Sequence, residues 1–399
     1  MNNVKLSFTI QETPAYAIAH KGGRKTLEIQ IFDGIMTCDI AYTFNRRPLT
    51  LETTVGAGMR VELILMPHRI ELYVDGKLLD EEWPAGERLY EQGDAICGMI
   101  DVFATEYKEE RSIPPCVISR FENAEGWKPD GGVFVGDCMP YRKDDEYHVL
   151  YLKDRKHHKS KWGLGAHQWE HISTKDFKTF EEHPMAVEIT DPDEGSICTG
   201  SWMRNGDKEY LYYTVRKAGK PAPICRSVSL DGYHFEKDKN FHFELSNRYT
   251  PESARDPKIV QDEKGVYHMF LTTTLAQEKK GCLAHYVSKD LDTWQDSGTP
   301  IYVSENADEP ECPDYIHYQG KYYLIFSLCG VAHYLYSDSP FDGWKKPKND
   351  VVPCSSVPKG AIWENKIVFT GFNRIDGYAG TMTFKSATAS ENGELVFEE

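Results

Sequence analysis

Three acidic residues lie in short segments whose glycine, proline or apolar neighbours restrict the backbone and limit access to water. Asp137 lies in VGDCMPY (135–141), Asp256 in RDPKIV (255–260) and Glu311 in EPECPDY (309–315). Hydrolysis of a glycosidic bond needs one carboxylic acid to protonate the leaving oxygen and a second carboxylate to attack the anomeric carbon or activate water. Three acids meet this need and leave one to hold sugar hydroxyls.

Each acid also has a purely structural interpretation. Asp137 and Asp256 could cap turns or strand ends, and Glu311 could belong to a solvated acidic loop with Glu309 and Asp314. The position of all three acids relative to a repeat favours the catalytic interpretation, because each lies just before or on the first strand of a repeat unit.

The repeat consists of strands that begin with an aromatic residue and recur roughly 60 residues apart, a period typical of β-repeat architectures. The strands are YHVLY (147–151), YLYYT (210–214), YHMFL (267–271) and YYLIF (322–326), and KIVFTGF (366–372) is a fifth, partial copy. Each of the four full copies is followed by a strand that runs into a polar turn and an aromatic residue. The spacing predicts a five-bladed β-propeller over residues 116–399, with an unclosed sandwich array as the alternative.

The first 115 residues predict a separate β-sandwich. RVELIL (60–65) and RIELYV (69–74) read as strands, and the Asp75-Gly76 pair that follows predicts a tight hairpin. RSIPPC (111–116) contains two prolines that cannot serve inside a central strand, so the domain boundary is expected there. The fold class is therefore all-β, a sandwich (1–115) followed by a propeller (116–399).

Composition excludes several classes of partner. The formal net charge is −16 and no block of basic residues occurs, which argues against a nucleic-acid or anionic membrane surface. The N-terminus lacks the apolar region of a secretory signal, and no stretch approaches the ~20 apolar residues of a membrane span. A cytoplasmic protein with reduced cysteines and a neutral substrate is expected.

Residues from about 126 to the C-terminus resemble glycoside hydrolase family 32, the family of invertases and levanases. The resemblance is carried by Arg255-Asp256-Pro257 and by Glu311-Cys312, which match the family's Arg-Asp-Pro and Glu-Cys motifs in order. WG (162–163), WEHIS (169–173) and TGS (199–201) resemble further family segments. The first family motif, usually Asn-Asp-Pro-Asn, is replaced by GDCM (136–139), and a family glutamine aligns with Leu152.

The resemblance implies a role for each acid. Asp137 would be the nucleophile, Glu311 the general acid/base, and Asp256 would bind sugar hydroxyls and stabilise the oxocarbenium-like transition state. Cys312 would lie against Glu311 and adjust its acidity. The residues expected to bind substrate are Trp162, His167, Gln168, Thr199, Ser201, Arg255, Cys312 and Arg374.

Three of these residues are chosen from the local sequence rather than from the motifs. The glycine-rich segment GLGAHQW (163–169) allows a close approach to a ligand, so His167 and Gln168 could replace the missing polar groups. Arg374 on the fifth blade could bind an acceptor hydroxyl or an anionic group. The alternatives are an incidental loop histidine and a surface salt bridge.

No metal or cofactor is expected from the sequence. His157, His158, His167 and His171 lie close together in the chain, but no sustained helical pattern would bring two of them onto one helix face, and lysines, which repel a cation, flank the first pair.

The sequence thus predicts a retaining hydrolase of β-fructofuranosides such as sucrose or fructo-oligosaccharides, with Asp137 and Glu311 carboxyl groups about 5–5.5 Å apart. One alternative is an inverting arabinofuranosidase or xylosidase like those of family 43, with a separation of about 6.5–9.5 Å. The other is a sugar-binding propeller without activity. The N-terminal sandwich could buttress a blade or form a homodimer.

Overall fold

The computed structural model describes residues 2–44, 47–108, 117–120, 126–129 and 132–398, with the backbone alone for 117–120. Two packed five-stranded antiparallel sheets form the N-terminal sandwich. Its strands are β1 (Val4–Thr9), β2 (Ala15–Lys21), β3 (Arg24–Phe32), β4 (Ile35–Ile40), β5 (Leu49–Thr54), β6 (Arg60–Leu65), β7 (Ile70–Val74), β8 (Lys77–Glu82), β9 (Ile96–Gly98) and β10 (Phe103–Glu106).

Alternating burial along these strands produces the sandwich core. The sheet orders are β10-β1-β6-β7-β8 and β5-β4-β3-β2-β9. In β1, for example, Val4, Leu6 and Phe8 are buried between the sheets while the intervening residues are more exposed, as the two-residue period of a strand requires. The predicted hairpin is confirmed: Val74 pairs with Lys77 across Asp75-Gly76, both at positive φ.

Five groups of antiparallel strands follow, each one blade of a propeller, and a pairing between the first and fifth joins those two into one nine-stranded sheet. The first contains β11 (Val117–Arg120), β12 (Phe134–Lys143), β13 (Glu146–Asp154), a short helix α1 (Ser160–Gly163), β14 (Gln168–Thr174) and β15 (Thr179–Val187). The second contains β16 (Ser196–Asn205), β17 (Lys208–Arg216), β18 (Ile224–Ser229) and β19 (Glu236–Lys237). The third contains β20 (Arg255–Gln261), β21 (Tyr267–Thr274), β22 (Gly281–Ser288), β23 (Gln295–Asp296) and β24 (Tyr302–Val303) and follows a 3₁₀ turn (Pro251–Ser253).

The fourth and fifth blades complete the ring. The fourth contains β25 (Glu311–Tyr318), β26 (Lys321–Leu328) and β27 (Val331–Ser337), and the fifth contains β28 (Ser356–Trp363), β29 (Lys366–Arg374), β30 (Gly380–Ala389) and β31 (Leu395–Phe397). The innermost strands β12, β16, β20, β25 and β28 contact one another in a closed cycle. Val135 of the first blade also pairs with Gly380 of the fifth.

The aromatic residues that mark the repeat hold neighbouring blades together. Tyr147 donates a hydrogen bond to Val368 O of the fifth blade, and Tyr323 of the fourth blade donates to Gly393 O. Both rings are fully buried between sheets, so each contributes apolar contact area as well as a satisfied hydroxyl. The repeating aromatic pattern therefore encodes contacts between blades.

The sandwich docks on the first blade through β8. Glu81 accepts ion pairs from Lys153 (2.9 Å) and Arg155 (3.3 Å) of the first blade, and Trp83 joins the apolar cluster that surrounds Trp169. The all-β fold, sandwich then five-bladed propeller, is confirmed. The predicted boundary at 111–116 lies outside the described residues. No helix in the described ranges is long and apolar enough to cross a membrane.

Candidate active site

The innermost strand of every blade begins with a β-bulge, where pairing with the next strand is interrupted for two residues. The interruptions fall between Val135 and Cys138, Ile197 and Gly200, Arg255 and Lys258, Glu311 and Asp314, and Ser356 and Lys359. A bulge bends a strand and changes the direction of its side chains. Because the five bulges lie at equivalent positions on touching strands, their side chains gather at one end of the central channel.

Asp137 lies in the bulge of the first blade and accepts hydrogen bonds from three neutral donors. Its Oδ1 accepts from Tyr378 Oη (2.9 Å), and its Oδ2 accepts from Thr199 Oγ1 (2.6 Å) and Cys312 Sγ (3.6 Å). These donors come from the fifth, second and fourth blades. Burial raises the pKa of both Tyr378 and Cys312, so both keep the proton that they donate.

Asp256 occupies the bulge of the third blade and is almost completely buried. Its Oδ2 accepts the backbone N–H of Cys312 at 3.0 Å and the Cys312 thiol at 3.5 Å. Both residues have positive φ, 56° for Asp256 and 51° for Cys312. Residues other than glycine rarely adopt this backbone conformation. One thiol thus contacts Asp137 and Asp256 together, so the structure places Cys312 Sγ beside two carboxylates other than that of Glu311.

Glu311 opens the first strand of the fourth blade, and about half of its side chain is exposed. Arg255 connects it to the third blade: Nη2 donates to Glu311 Oε1 (2.9 Å), and Nη1 donates to Glu309 Oε2 (2.6 Å). The arginine is therefore held by two carboxylates, and Glu311 keeps a solvent-facing oxygen. An exposed carboxyl group next to a buried one suits proton exchange with a leaving group and with water.

Below the bulges, buried charges connect the innermost strands. Lys258 Nζ pairs with Asp314 Oδ1 (2.5 Å), and Asp314 Oδ2 accepts the N–H of Gly360 (2.7 Å). Lys359 Nζ donates to Gly200 O (2.9 Å), and burial lowers the pKa of Lys359. These contacts join the second to fifth blades and fix the bulges relative to one another.

Thr199 and Arg255 contact the acids, whereas Ser201 and Gln168 bind protein groups. Ser201 Oγ donates to Pro257 O (2.9 Å) and accepts from Ile259 N–H (3.0 Å), which joins β16 to β20. Gln168 is fully buried and its Oε1 accepts from Ile189 N–H (2.8 Å). Substrate contact by either residue stays a prediction, and the structure gives both a bracing role.

His167 reaches the site through other side chains. It is buried, with Nε2 against Asp154 Oδ2 (2.6 Å) and Nδ1 against Ser196 Oγ (3.1 Å). Its ring also lies 5.2 Å from that of Tyr378, centroid to centroid. Arg374 is exposed at the mouth of the fifth blade, where Nε donates to Ser356 Oγ (3.2 Å). The Trp162 side chain lies outside the described part of the structure.

Sequence reasoning missed Tyr378 and Arg216. Tyr378 lies in the loop between β29 and β30, 241 residues from the carboxylate that it contacts, and only the flanking glycine of that loop hinted at a constrained position. Arg216 is exposed at the end of β17, beside the bulge of the second blade, and the proximity of Cys198 and Asp256 raises its pKa. No local motif marks either residue.

A closed ring of five blades with acids in its bulges is the architecture of propeller-type glycoside hydrolases. The sequence model "Glycosyl hydrolases family 32 N-terminal domain" matches residues 136–363, more than half of the chain. The chain belongs to glycosyl hydrolase family 32. The matched segment contains all three candidate acids and begins after the sandwich.

The chain is also similar to individual proteins and solved structures. A sucrose-6-phosphate hydrolase of Vibrio alginolyticus is 30% identical over 186 residues, covering 45% of this chain and 36% of that protein. Fructan 1-exohydrolase IIa of Cichorium intybus has a TM-score of 0.56 at 15% identity, over 70% of this chain and 59% of that one. A family 43 β-xylosidase/α-arabinofuranosidase from a compost microbial metagenome has a TM-score of 0.53 at 14% identity, over 70% and 98%.

These structural likenesses show the fold. The chain spans about a third of the Vibrio enzyme and three fifths of the Cichorium enzyme, so it is similar to part of each.

Proposed function

We propose that this protein hydrolyses β-fructofuranosides with retention of configuration. The observation that carries the proposal is the Asp137 carboxylate, held in place by uncharged donors from three other blades and sharing the Cys312 thiol with Asp256. Membership of family 32 and the names of the relatives support the choice of a fructosyl group.

The proposed reaction has two halves. Asp137 attacks the anomeric carbon while that carbon's bond to the leaving oxygen breaks and Glu311 transfers its proton to that oxygen. Glu311, now ionised, then removes a proton from water, which attacks the anomeric carbon and releases Asp137. Asp256 accepts hydrogen bonds from sugar hydroxyls, and these strengthen as positive charge develops on the ring.

Uncharged donors suit a nucleophile. A hydrogen bond from Tyr378 or Thr199 orients the Asp137 carboxylate and stabilises its charge, whereas a full counter-ion would hold that charge in an ion pair. Preorganised donors also need no rearrangement during the reaction. The geometry of the donors therefore favours covalent attack by Asp137 over a purely structural role.

We further propose that the substrate is sucrose or a phosphorylated sucrose. The relatives named sucrose-6-phosphate hydrolase motivate the second possibility. Arg216, exposed beside Asp256, supplies a guanidinium that could pair with a phosphate, and Arg374 supplies another at the fifth blade. Arg216→Ala should lower kcat/KM for the phosphorylated sugar more than for sucrose, and Arg204→Ala, at the other end of the second blade's innermost strand, is the matched control.

The decisive experiment is hydrolysis of sucrose, sucrose 6-phosphate, inulin-type oligosaccharides and aryl arabinofuranosides by the wild type, Asp137→Asn and Glu311→Gln. Glu311→Gln should lower kcat by about 10²–10⁴-fold, the range for loss of a general acid, and Asp137→Asn by at least as much. Asp145→Asn, at an exposed position on the first blade, should remain fully active.

Proton NMR of the first-formed sugar separates the proposals. Retained configuration supports the nucleophile Asp137, and inversion with an arabinofuranoside supports the family 43-like alternative. Sugar binding without turnover of any of these substrates by the wild type would support the inactive propeller instead.

A further inference from the structure

Three buried histidines meet in the first blade, away from the acids. His148 on β13, His171 on β14 and His183 on β15 come from adjacent strands, and one ring nitrogen from each lies within 4.8 Å of the others. Their exposed fractions are 1%, 1% and 8%. His171 lies near other histidines in the chain, but the sheet brings it together with two that come from the neighbouring strands on either side.

The ring nitrogens are nearly at ligand spacing. His148 Nδ1 lies 3.0 Å from His171 Nε2, which is also 3.0 Å from the Tyr141 hydroxyl. Tetrahedral zinc with zinc–nitrogen bonds of about 2.0–2.1 Å separates its nitrogen ligands by about 3.4 Å. Small rotations of the three rings would therefore bring their nitrogens to the separations that one zinc ion requires. We propose that His148, His171 and His183 form a structural site for a divalent transition metal such as zinc.

The surroundings fit a cation. An imidazole that binds a metal through one ring nitrogen commonly forms a hydrogen bond with a carboxylate or another polar group through its other nitrogen. Here Glu146 Oε2 lies 3.7 Å from His148 Nε2 and accepts a hydrogen bond from Ser173 Oγ (2.9 Å), and Ser173 Oγ in turn contacts His183 Nε2 (2.9 Å).

One cation lies near the cluster. Lys143 Nζ is 3.0 Å from Glu209 Oε1 and also donates to Asp231 O (3.0 Å). Its charge is thus largely offset by a carboxylate. Among the described residues, no group forms a hydrogen bond with the buried His171 Nδ1, so the ring is not fixed by a competing contact on that side.

The third blade contains a natural comparison. His268 on β21 and His285 on β22 occupy the positions of His148 and His171, and their ring nitrogens lie 2.8 Å apart. Next to this pair, the Phe341 ring stacks on His268 at 4.0 Å. A histidine pair therefore serves packing in one blade, and His183 is the addition that makes a three-nitrogen site in the other.

The test uses the full chain, stripped with a chelator and then exposed to zinc or cobalt(II). The wild type should retain about one zinc per chain after gel filtration, show the visible absorption of tetrahedral cobalt(II), and melt at a higher temperature with zinc than without it. His183→Gln should bind zinc roughly tenfold more weakly or worse and lose the cobalt absorption, whereas His285→Gln should behave as the wild type.

His183→Phe, which keeps an aromatic ring but offers no ligand nitrogen, serves if the glutamine variant does not fold. The proposal is overturned if the wild type retains no zinc and shows no cobalt absorption, or if the His183 variants bind as much metal as His285→Gln.

Discussion

Two carboxylates, one that contacts the first blade from the sandwich and one within that blade, differ in the partners of their charge. At the contact with the sandwich, Glu81 is 1% exposed and pairs with Lys153 and Arg155, which lower its pKa to about 2 despite the opposing effect of burial. In the channel, Asp137 is half-buried and accepts hydrogen bonds from uncharged Tyr378, Thr199 and Cys312.

The difference separates stability from chemistry. A carboxylate whose charge is paired with buried cations is stabilised and becomes a weaker nucleophile, while one held by neutral donors is fixed in position and keeps its charge for a substrate. Glu81 therefore serves to dock two domains, and Asp137 is suited to attack a carbon that becomes electron-poor. Asp137 lies on β12 and Lys153 on β13 of the first blade, whereas Glu81 lies on β8 of the sandwich.

The largest effect is expected at the contact between the sandwich and the first blade. Glu81→Gln removes the buried carboxylate that pairs with both Lys153 and Arg155, so the free energy of unfolding should fall by about 3–5 kcal/mol. The kcat of the folded protein should not change, because the acids are untouched. Urea unfolding followed by tryptophan fluorescence measures the first quantity, and initial rates below the transition measure the second.

Asp145→Asn breaks an exposed ion pair with Lys175 and is the control for that experiment. Its unfolding midpoint should match the wild type, since exposed pairs contribute little. Equal stability of Glu81→Gln and Asp145→Asn would show that the docking charges contribute nothing to the fold.

A smaller change in stability is expected from a buried imidazole, that of His285, which has neither a full counter-ion nor a catalytic role. Burial, with a contribution from His268, lowers the pKa of His285 to about 4 in the folded protein, against about 6.5 when unfolded. His285 therefore favours folding above pH 6.5, and this contribution is lost as the pH falls toward 4. Between pH 7 and pH 5 the loss should be ~2 kcal/mol.

Chemical denaturation of the wild type and His285→Gln at both pH values measures this contribution as the difference between their two losses. Identical pH dependence of the two proteins would mean that His285 is accessible to protons in the folded state.

The smallest expected effect tests the donors in the channel. Tyr378→Phe removes the hydroxyl that donates to Asp137 Oδ1 and keeps the ring packed against His158, so kcat/KM should fall about tenfold, the cost of one hydrogen bond to a charged group. The acidic limb of the pH–rate profile should move to higher pH, because the ionised carboxylate loses a donor. The free energy of unfolding of Tyr378→Phe shows whether the substitution also weakens the fold.

Loss of the Tyr378 hydroxyl could leave the reaction unaltered only if Thr199 and Cys312 orient the carboxylate unaided. A Tyr378→Phe enzyme with wild-type kcat/KM and pH profile would therefore contradict the positioning role, and Thr199→Val would then be the variant to measure.

Much of the fold was predictable because its signals are local. The strand that starts at Tyr147 and its three repeats all became the second strand of a blade, and Asp75-Gly76 became the turn between β7 and β8. Turn chemistry and the two-residue period act within a few residues, so they can be recognised without knowledge of the partner strand.

The site was predictable only in part. Asp137, Thr199, Asp256 and Cys312 do converge, because each lies at the same bulge of an equivalent strand. Gln168, in contrast, looked polar and available in a glycine-rich segment, yet its carbonyl oxygen binds the backbone of Ile189 in the core. The sequence around a polar side chain does not show which group will form a hydrogen bond with it in the folded protein.

By itself, the sequence determined the repeat, the order of the two domains and the Arg-Asp-Pro and Glu-Cys segments, since these depend on residue type and short spacing. Only the tertiary structure decided that Tyr378 holds Asp137, that Cys312 contacts two carboxylates, and that His148, His171 and His183 meet. These contacts join residues from different strands or blades, and closure of the ring and pairing within the sheets, rather than any local preference, set their distances.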